Sequence, residues 1–260
     1  MAMQEARFDG PTERRPAVRV SHLTAVHQAF ADHDLPPGVL RDLARIASPR
    51  RVPKFGNIQE VGWSAGGVAT LVAKGTVRED FPDGRCRIWK RGALIGDWTG
   101  GNLAAPTALT ALTDECKLVE ITGAKMDRIG STDVFRALAQ MGMARLNVTE
   151  YVYGADRRPP VARVAGLLGY LGHQPEAIVV RGSQQVTYVK YVRDGLIAGP
   201  AQVDLADALG ISRASVEKAL AVLRDRGVLY KVEPGEARTN RRYRIKDPLA
   251  LASIAHVGRY

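Results

Sequence analysis

The spacing of apolar positions changes character several times along the chain. From Ser21, a good N-cap residue, Leu23, Val26, His27 and Phe30 recur at helical spacing. A second helix is expected from the Pro36-Pro37 pair through Val39, Leu40, Leu43 and Ile46, with Pro49 closing the unit. Between Arg51 and about Thr122 the pattern shifts to short strand-like runs: Val68–Val77, Arg85–Trp89, Ala93–Ile95 and Lys117–Ile121. Gly66-Gly67, Gly75, Asp83-Gly84, Gly92, Gly96 and Gly100-Gly101 punctuate them, and Asp83-Gly84 is a good hairpin signal. Many short strands with glycine corners predict a compact barrel or roll. The strand–helix alternation of a dinucleotide-binding domain is absent.

Ser131 opens a long helical stretch reaching about Gly154. In it Val134, Leu138, Met141, Arg145, Val148 and Val152 recur at alternating spacings of four and three, a heptad-like seam interrupted by Arg145. This face is expected to form a dimer seam. Phe135, Leu146 and Tyr153 offer a second apolar face, so the helix could pack on its own roll and on a twin helix together. Arg157-Arg158-Pro159-Pro160 marks a break, after which Val161, Val164, Leu167, Leu168 and Leu171 continue as another helix. From about His173 to Ala201 the chain reads as a loop with one extended piece, Gln185–Val192.

The run Asp204–Leu220 reads as a helix-turn-helix. Leu205, Ala206 and Leu209 form an apolar face, Ala206 is small enough for two helices to approach, Gly210 permits a left-handed turn, and Ile211 plugs the gap. Ser212 caps the next helix, whose Val216, Leu220 and Leu223 turn toward the core. Arg213, Ser215, Glu217 and Lys218 are left on its outer side, where a recognition helix meets base edges. After Gly227, Val228–Val232 and Arg238–Ile245 flank Glu233-Pro234-Gly235-Glu236-Ala237, the pattern of a β-hairpin wing. The expected DNA contacts are Gln202, Ser212, Arg213, Ser215, Glu217, Lys218, Arg238, Arg241 and Arg242. The organisation that follows is a flexible tail over 1–20, a roll with its N-terminal helices over 21–130, a dimerisation helix over 131–155, a winged head over 156–246 and a C-terminal extension over 247–260.

Charge sharpens this picture. The 260 residues carry a formal net charge of +10, which suits nucleic acid or an anionic membrane surface equally. From Lys231 to Lys246 there are six basic residues and two acidic ones, a local +4 beside the reading helix, and that favours DNA. No stretch approaches the roughly 18 apolar residues of a membrane span, and Met1–Pro16 lacks a signal peptide's apolar run, so a cytoplasmic protein without a membrane partner is expected. Two cysteines, Cys86 and Cys116, cannot build a disulfide framework or an iron–sulfur site. The five histidines, His22, His27, His33, His173 and His256, show no metal-ligand spacing, so no metal site is expected. An enzyme with an appended winged helix would need a nucleotide loop at Gly96–Gly101. The phosphate-loop, nucleophile-elbow and His-Glu-x-x-His motifs are all absent, and Asp97, Asp114 and Glu115 lack a visible base, so no catalytic residues are assigned.

The order of roll, long helix and winged helix resembles the cyclic-AMP receptor/fumarate-nitrate regulator (Crp/Fnr) family of bacterial transcription factors. The matching segments are Val72-Ala73-Lys74-Gly75-Thr76-Val77, Gly92-Ala93-Leu94-Ile95-Gly96-Asp97, Ala144-Arg145-Leu146-Asn147-Val148-Thr149 and the helix-turn-helix, across roughly Pro36 to Ile245. The resemblance implies an α+β chain with an N-terminal cyclic-nucleotide-binding-type β-roll, a long dimerisation helix and a C-terminal winged helix-turn-helix. It implies a homodimer on a palindromic DNA operator, with RNA polymerase as a further partner. It also implies an effector pocket at Gly96, Asp97, Trp98, Thr107, Ala108, Thr149 and Glu150. Aligned without gaps, Asp97 stands where such relatives have the ribose-contacting Glu, Thr107 where they have the phosphate-gripping Arg, and Glu150 where the residue after a base-contacting Thr looks like Ser. Replacing a charge-assisted Arg contact by a hydroxyl forfeits about 1.5–3 kcal/mol, which argues against cyclic AMP and for another small-molecule effector or none. In the recognition helix the Glu of Ser-Arg-Glu-Thr-Val-x-Arg is Ala214 and the final Arg is Lys218, so the family's half-site is not expected to carry over. The competing expectation is a ligand-independent regulator whose roll is a scaffold or a protein-docking surface.

Overall fold

The computed structural model describes residues 26–27, 29–30, 33–61, 68–96, 107–154, 156–172, 176–177, 189–190, 195–231 and 242–256. The expected tail, Gly66-Gly67, Asp97, Trp98, Gly100-Gly101 and the wing tip with Arg238 and Arg241 lie outside these residues. So does most of Gln185–Val192.

Helix α1, Pro37–Ile46, starts with proline at its first position, where the missing N–H is not needed, and buries Val39, Leu43, Ala44 and Ile46. The chain then runs directly into β1, Ala47–Pro53. Pro49, expected to close the helical unit, instead sits inside this strand. It is tolerated because β1 is the outer strand of its sheet, where a missing donor breaks no ladder on the solvent side.

Seven further strands follow: β2 Asn57–Val61, β3 Val68–Lys74, β4 Thr76–Asp80, β5 Cys86–Lys90, β6 Leu94–Ile95, β7 Thr107–Ala111 and β8 Glu115–Thr122. They form two antiparallel four-stranded sheets, ordered β1-β8-β3-β6 and β2-β7-β4-β5, which is the expected roll. The Asp83-Gly84 hairpin joins β4 to β5 as read, with Gly84 at φ 82°. Val52, Val72, Val77, Trp89, Ile95, Leu109, Ala111, Cys116 and Leu118 fill the space between the sheets. A large apolar side chain in such a site contributes about 1.5–3 kcal/mol.

Short helix α2, Gly123–Ile129, leads to α3, Thr132–Val148, whose cap Ser131 accepts the Val134 N–H. The helix continues through one π-helical turn, Thr149–Tyr153. The face expected to form the dimer seam packs inside the protomer instead. Val134, Leu138 and Met141 are buried against Leu71, Leu94, Val119 and Ile121 of the roll and against α1. Val152 is buried with the head, and Arg145 turns into the roll. Helical periodicity identifies an apolar face but not its partner, and the nearer partner is the chain's own sheet. Phe135, Met143 and Leu146 are the large apolar side chains of α3 left exposed.

After the turn come α4 Pro160–Gly172, the paired two-residue strands β9 Glu176–Ala177 and β10 Val189–Lys190, and β11 Gly195–Ala198. Then follow α5 Gln202–Leu209, α6 Arg213–Asp225, β12 Arg242–Ile245 and α7 Pro248–His256. β12 pairs along its length with β11, a strand inside the expected loop, and meets the Val228–Val232 run through the Leu229–Ile245 bridge and the Tyr230 N–H to Arg244 carbonyl bond of 2.9 Å. The segment read as an extension carries α7, which packs across α4 and is capped by Asp247 accepting the Ala250 N–H at 2.9 Å.

Candidate nucleic-acid interface and roll pocket

The helix-turn-helix is built by local rules. Asp204 accepts the Ala201 N–H at 2.7 Å and fixes the start of α5, whose Leu205, Ala206 and Leu209 are buried. Gly210 takes φ 59°, a left-handed conformation that spares it the penalty a Cβ would carry. The Ile211 N–H then closes on the Ala206 carbonyl at 3.1 Å. Arg163 of α4, buried, donates to the Leu209 carbonyl and pairs with Asp156 at 3.1 Å, so one guanidinium satisfies the C-terminal end of α5. Ser212 caps α6 by accepting the Ser215 N–H at 3.1 Å.

On α6, Val216, Ala219, Leu220 and Leu223 are buried, while Arg213, Glu217 and Lys218 are exposed and Ser215 is half-buried. The expected reading face is therefore presented outward. Arg213 Nε donates to Glu217 Oε1 at 3.0 Å, one helical turn away, so the guanidinium has an internal counter-ion in the unbound protein. The flanking strand alternates as a half-buried strand should. Arg242 and Arg244 point out, Tyr243 and Ile245 point in, and Arg244 lies over the Tyr230 ring at 5.0 Å. Gln202, at the start of α5, is half-buried, and its amide oxygen is buried without a hydrogen-bond partner.

Much of the roll pocket that the resemblance implies lies outside the described residues. Asp97 and Trp98 are not described, Thr107 is placed only as the first residue of β7, Ala108 is half-buried on that strand and Glu150 is exposed. The structure instead brings Gly96 together with three residues that no pocket assignment included. Arg145 Nη2 donates to both carboxylate oxygens of Glu79 at 3.0 and 2.9 Å, and Arg145 Nη1 reaches the Gly96 carbonyl at 3.3 Å. Trp89 Nε1 donates to the same carboxylate at 2.7 Å, and the guanidinium lies 5.1 Å from the Trp89 ring centroid. Glu79 is only 1% exposed. Its inward direction was legible, since it shares parity with Val77 on β4, but a strand pattern gives no sign of the arginine that would meet it. Two polar atoms one helical turn apart on this face, Arg145 Nε and Thr149 Oγ1, are buried without a partner.

Two tyrosines, Tyr153 at the end of the long helix and Tyr170 in the head, are held by the roll. Tyr153 accepts the Ile88 N–H at 2.9 Å and donates to the Ile88 carbonyl at 2.7 Å, and the Tyr170 hydroxyl accepts the Lys90 N–H at 3.4 Å. These groups belong to β5, the outer strand of its sheet, so the tyrosines cover a row of backbone groups that would otherwise be open. Both rings stand edge-on to Trp89, at 5.9 and 6.5 Å between centroids. Burial pushes both hydroxyls well above the ordinary tyrosine range, keeping them neutral. A second link is ionic: Arg78 of β4 pairs with Asp80 at 2.8 Å and, across to α5, with Asp204 at 3.1 Å and Asp207 at 2.8 Å. Burial pushes the free thiols of Cys86 and Cys116 up to about 12, so neither is a thiolate near neutral pH. Among the described residues no cluster could hold a metal ion, and no helix is long and apolar enough to cross a membrane.

No family model and no curated protein matches the chain. Solved structures do. FixK2 from Bradyrhizobium japonicum is similar at 21% identity and a TM-score of 0.54, over 80% of this chain and 97% of that one. TTHB099, a transcriptional regulator of the CRP family from Thermus thermophilus, is similar at 26% identity and a TM-score of 0.53, over 79% and 96%. A cyclic nucleotide-binding domain containing protein from Listeria monocytogenes is similar at 14% identity and a TM-score of 0.56, over 86% and 96%. With an antiparallel β-roll preceding a helix-turn-helix head along most of its length, the chain has the fold of the Crp/Fnr family of transcriptional regulators.

Proposed function

We propose that the chain is a sequence-specific DNA-binding transcription regulator, not an enzyme, that acts as a homodimer and carries a sensor domain diverged from the cyclic-nucleotide type. The observation that carries this reading is the outward set Arg213, Glu217 and Lys218 on α6, beside the exposed Arg242 and Arg244 of β12. Base edges would meet α6, and the basic strand would hold phosphates in a salt-dependent way. Pairing of two copies is supported by the exposed stripe Phe135, Met143 and Leu146 on α3, and a twofold pair of heads calls for a palindromic operator. At such a promoter RNA polymerase would be the further partner. The test is operator binding by a gel-shift titration over a range of salt. Arg213→Ala is expected to cost about 1–3 kcal/mol of operator affinity and to relax specificity at one base pair. Equal binding by this variant and the unaltered protein would remove the recognition-helix assignment.

The Glu79–Arg145 pair favours a second reading, in which the roll needs no ligand to be joined to the long helix. The chain's own ion pair already spans the interval from β4 to α3, and Arg145 already holds the carbonyl of Gly96, the first of the expected pocket residues. Glu79 and Arg145 already neutralise one another, so neither calls for a charged ligand. Thermal melts against a panel of metabolites separate the two readings, because a ligand at a hundred times its dissociation constant stabilises the fold by about 2.7 kcal/mol.

A further inference from the structure

We infer that Arg87 of the roll forms an ion pair with Glu150 of the partner subunit, so that each roll is tied to the other copy's long helix. The contact rests on the homodimer proposed above and gives it a specific, charge-dependent link.

Arg87 lacks the counter-ion that its position calls for. It stands on β5 directly opposite Glu79 of β4, so the two side chains share a face. Glu79 is already engaged, accepting from both Arg145 and Trp89. Among the described residues no carboxylate forms a salt bridge with Arg87, and its half-buried guanidinium lies over two rings instead, 4.9 Å from the Phe81 centroid and 5.9 Å from that of Tyr153. Burial and the nearby Arg145 charge push its pKa down from the usual guanidinium range. A cation in this setting gains from any carboxylate that reaches it.

Glu150 is the carboxylate that a second copy would bring. Along α3, Phe135, Ala139, Gly142 and Leu146 recur at spacings of four, three and four, and none of them is buried. The two small residues in the middle let a twin helix come close. Glu150, four residues beyond Leu146, is exposed at the flank of this seam, where coiled-coil helices place their interchain ion pairs. Five residues on from Arg145, it points roughly 140° away from the side chain that turns into the roll. Within its own chain Glu150 is therefore directed away from Arg87. A twofold axis along the seam turns the same flank toward the other copy's roll. Two heads on one operator require parallel helices, which keeps equal residues at equal height. Glu150 of the partner subunit then stands level with the Thr149–Tyr153 turn, the turn against which Arg87 lies.

The test measures self-association of the full chain by sedimentation equilibrium without DNA. Arg87→Glu and Glu150→Arg should each weaken the dimer at least about tenfold, because both junctions then oppose like charges. Combined in one chain, the two reversals should restore it. Mixed as separate proteins, the single variants should pair with one another in preference to themselves, since both junctions of the mixed dimer again join opposite charges. High salt should shrink these differences. Glu150 is exposed, so its replacement leaves the fold intact. If circular dichroism shows that Arg87→Glu does not fold, Arg87→Gln takes its place, and Glu150→Gln should then weaken the dimer in the unaltered chain but not in Arg87→Gln. Undiminished dimerisation of Glu150→Arg, a folded double reversal no tighter than the single ones, or equal losses from Glu150→Gln in both backgrounds would each overturn the ion pair and leave the homodimer standing. A chain that stays monomeric throughout would overturn the homodimer and this contact with it.

Discussion

Arg78 and Glu79 are neighbours on β4, yet strand alternation sends one to the head and the other into the roll, where they enter opposite electrostatic settings. Glu79 is almost fully enclosed and meets Arg145 and Trp89. Arg78, about as exposed as Arg145 at 22% against 20%, faces three carboxylates, two of them on α5, and of these Asp80 and Asp207 are 36% and 44% exposed. A buried pair is costly to desolvate and adds little net stability, but it cannot lose one partner without stranding the other. A partly exposed network is screened and replaceable. The long helix is therefore held to the roll in an all-or-none way, whereas the ionic contact between head and roll is one that salt, or a competing polyanion, can release.

The largest expected effect tests the enclosed side. Glu79→Ala strips the half-buried Arg145 guanidinium and the Trp89 indole N–H of the enclosed carboxylate they share, and should cost about 3–5 kcal/mol in a urea melt. The double replacement Glu79→Leu with Arg145→Met removes both charges and should recover most of that loss. If the single variant loses no more than about 0–1 kcal/mol, as surface pairs do, the two settings are not different in kind.

Tyr153→Phe comes next. It deletes the hydroxyl that serves both backbone groups of Ile88 and should cost about 1–3 kcal/mol, with the Ile88 amide proton exchanging faster while those in the middle of β3 and β8 keep their protection. An unchanged Ile88 exchange rate would mean that the tyrosine is not what covers the edge of β5.

What could be read beforehand follows the range over which each feature is determined. The helix-turn-helix was legible almost residue by residue, since Ser212, Gly210 and Ala206 act within a few positions of themselves. The inward direction of Glu79 was equally available from its parity with Val77. Arg145 was misassigned because a four-three spacing marks an apolar face and is silent about whether a sister helix or the chain's own sheet covers it. β1 was obscured by its two prolines, which only an outer strand tolerates, and β7 by the small residues of Thr107–Ala111, which carry no alternation. The α7 helix did leave a signal, Asp247-Pro248, an N-cap residue followed by proline at the first helical position. The Arg78 contacts with α5 join residues more than a hundred positions apart, and no local pattern encodes them.

The smallest effect on stability is expected at Arg78 itself, and the two thiols make it measurable. Arg78→Ala should cost about 1 kcal/mol or less, and high salt should shrink the difference. It leaves Asp80, Asp204 and Asp207 facing one another across the junction, so the head should swing away from β5 more often. Cys86 packs on the head side of the roll with Ile88 and Leu112, whereas Cys116 lies between the sheets. Alkylation of Cys86 by iodoacetamide should therefore accelerate in the variant while that of Cys116 does not. The sign is informative, because Arg78 lowers the Cys86 pKa through its charge and removing it makes the thiol intrinsically less reactive. A faster reaction can then come only from opening. Equal acceleration at both cysteines would show that the roll had loosened as a whole, and the contrast between its two faces would fail.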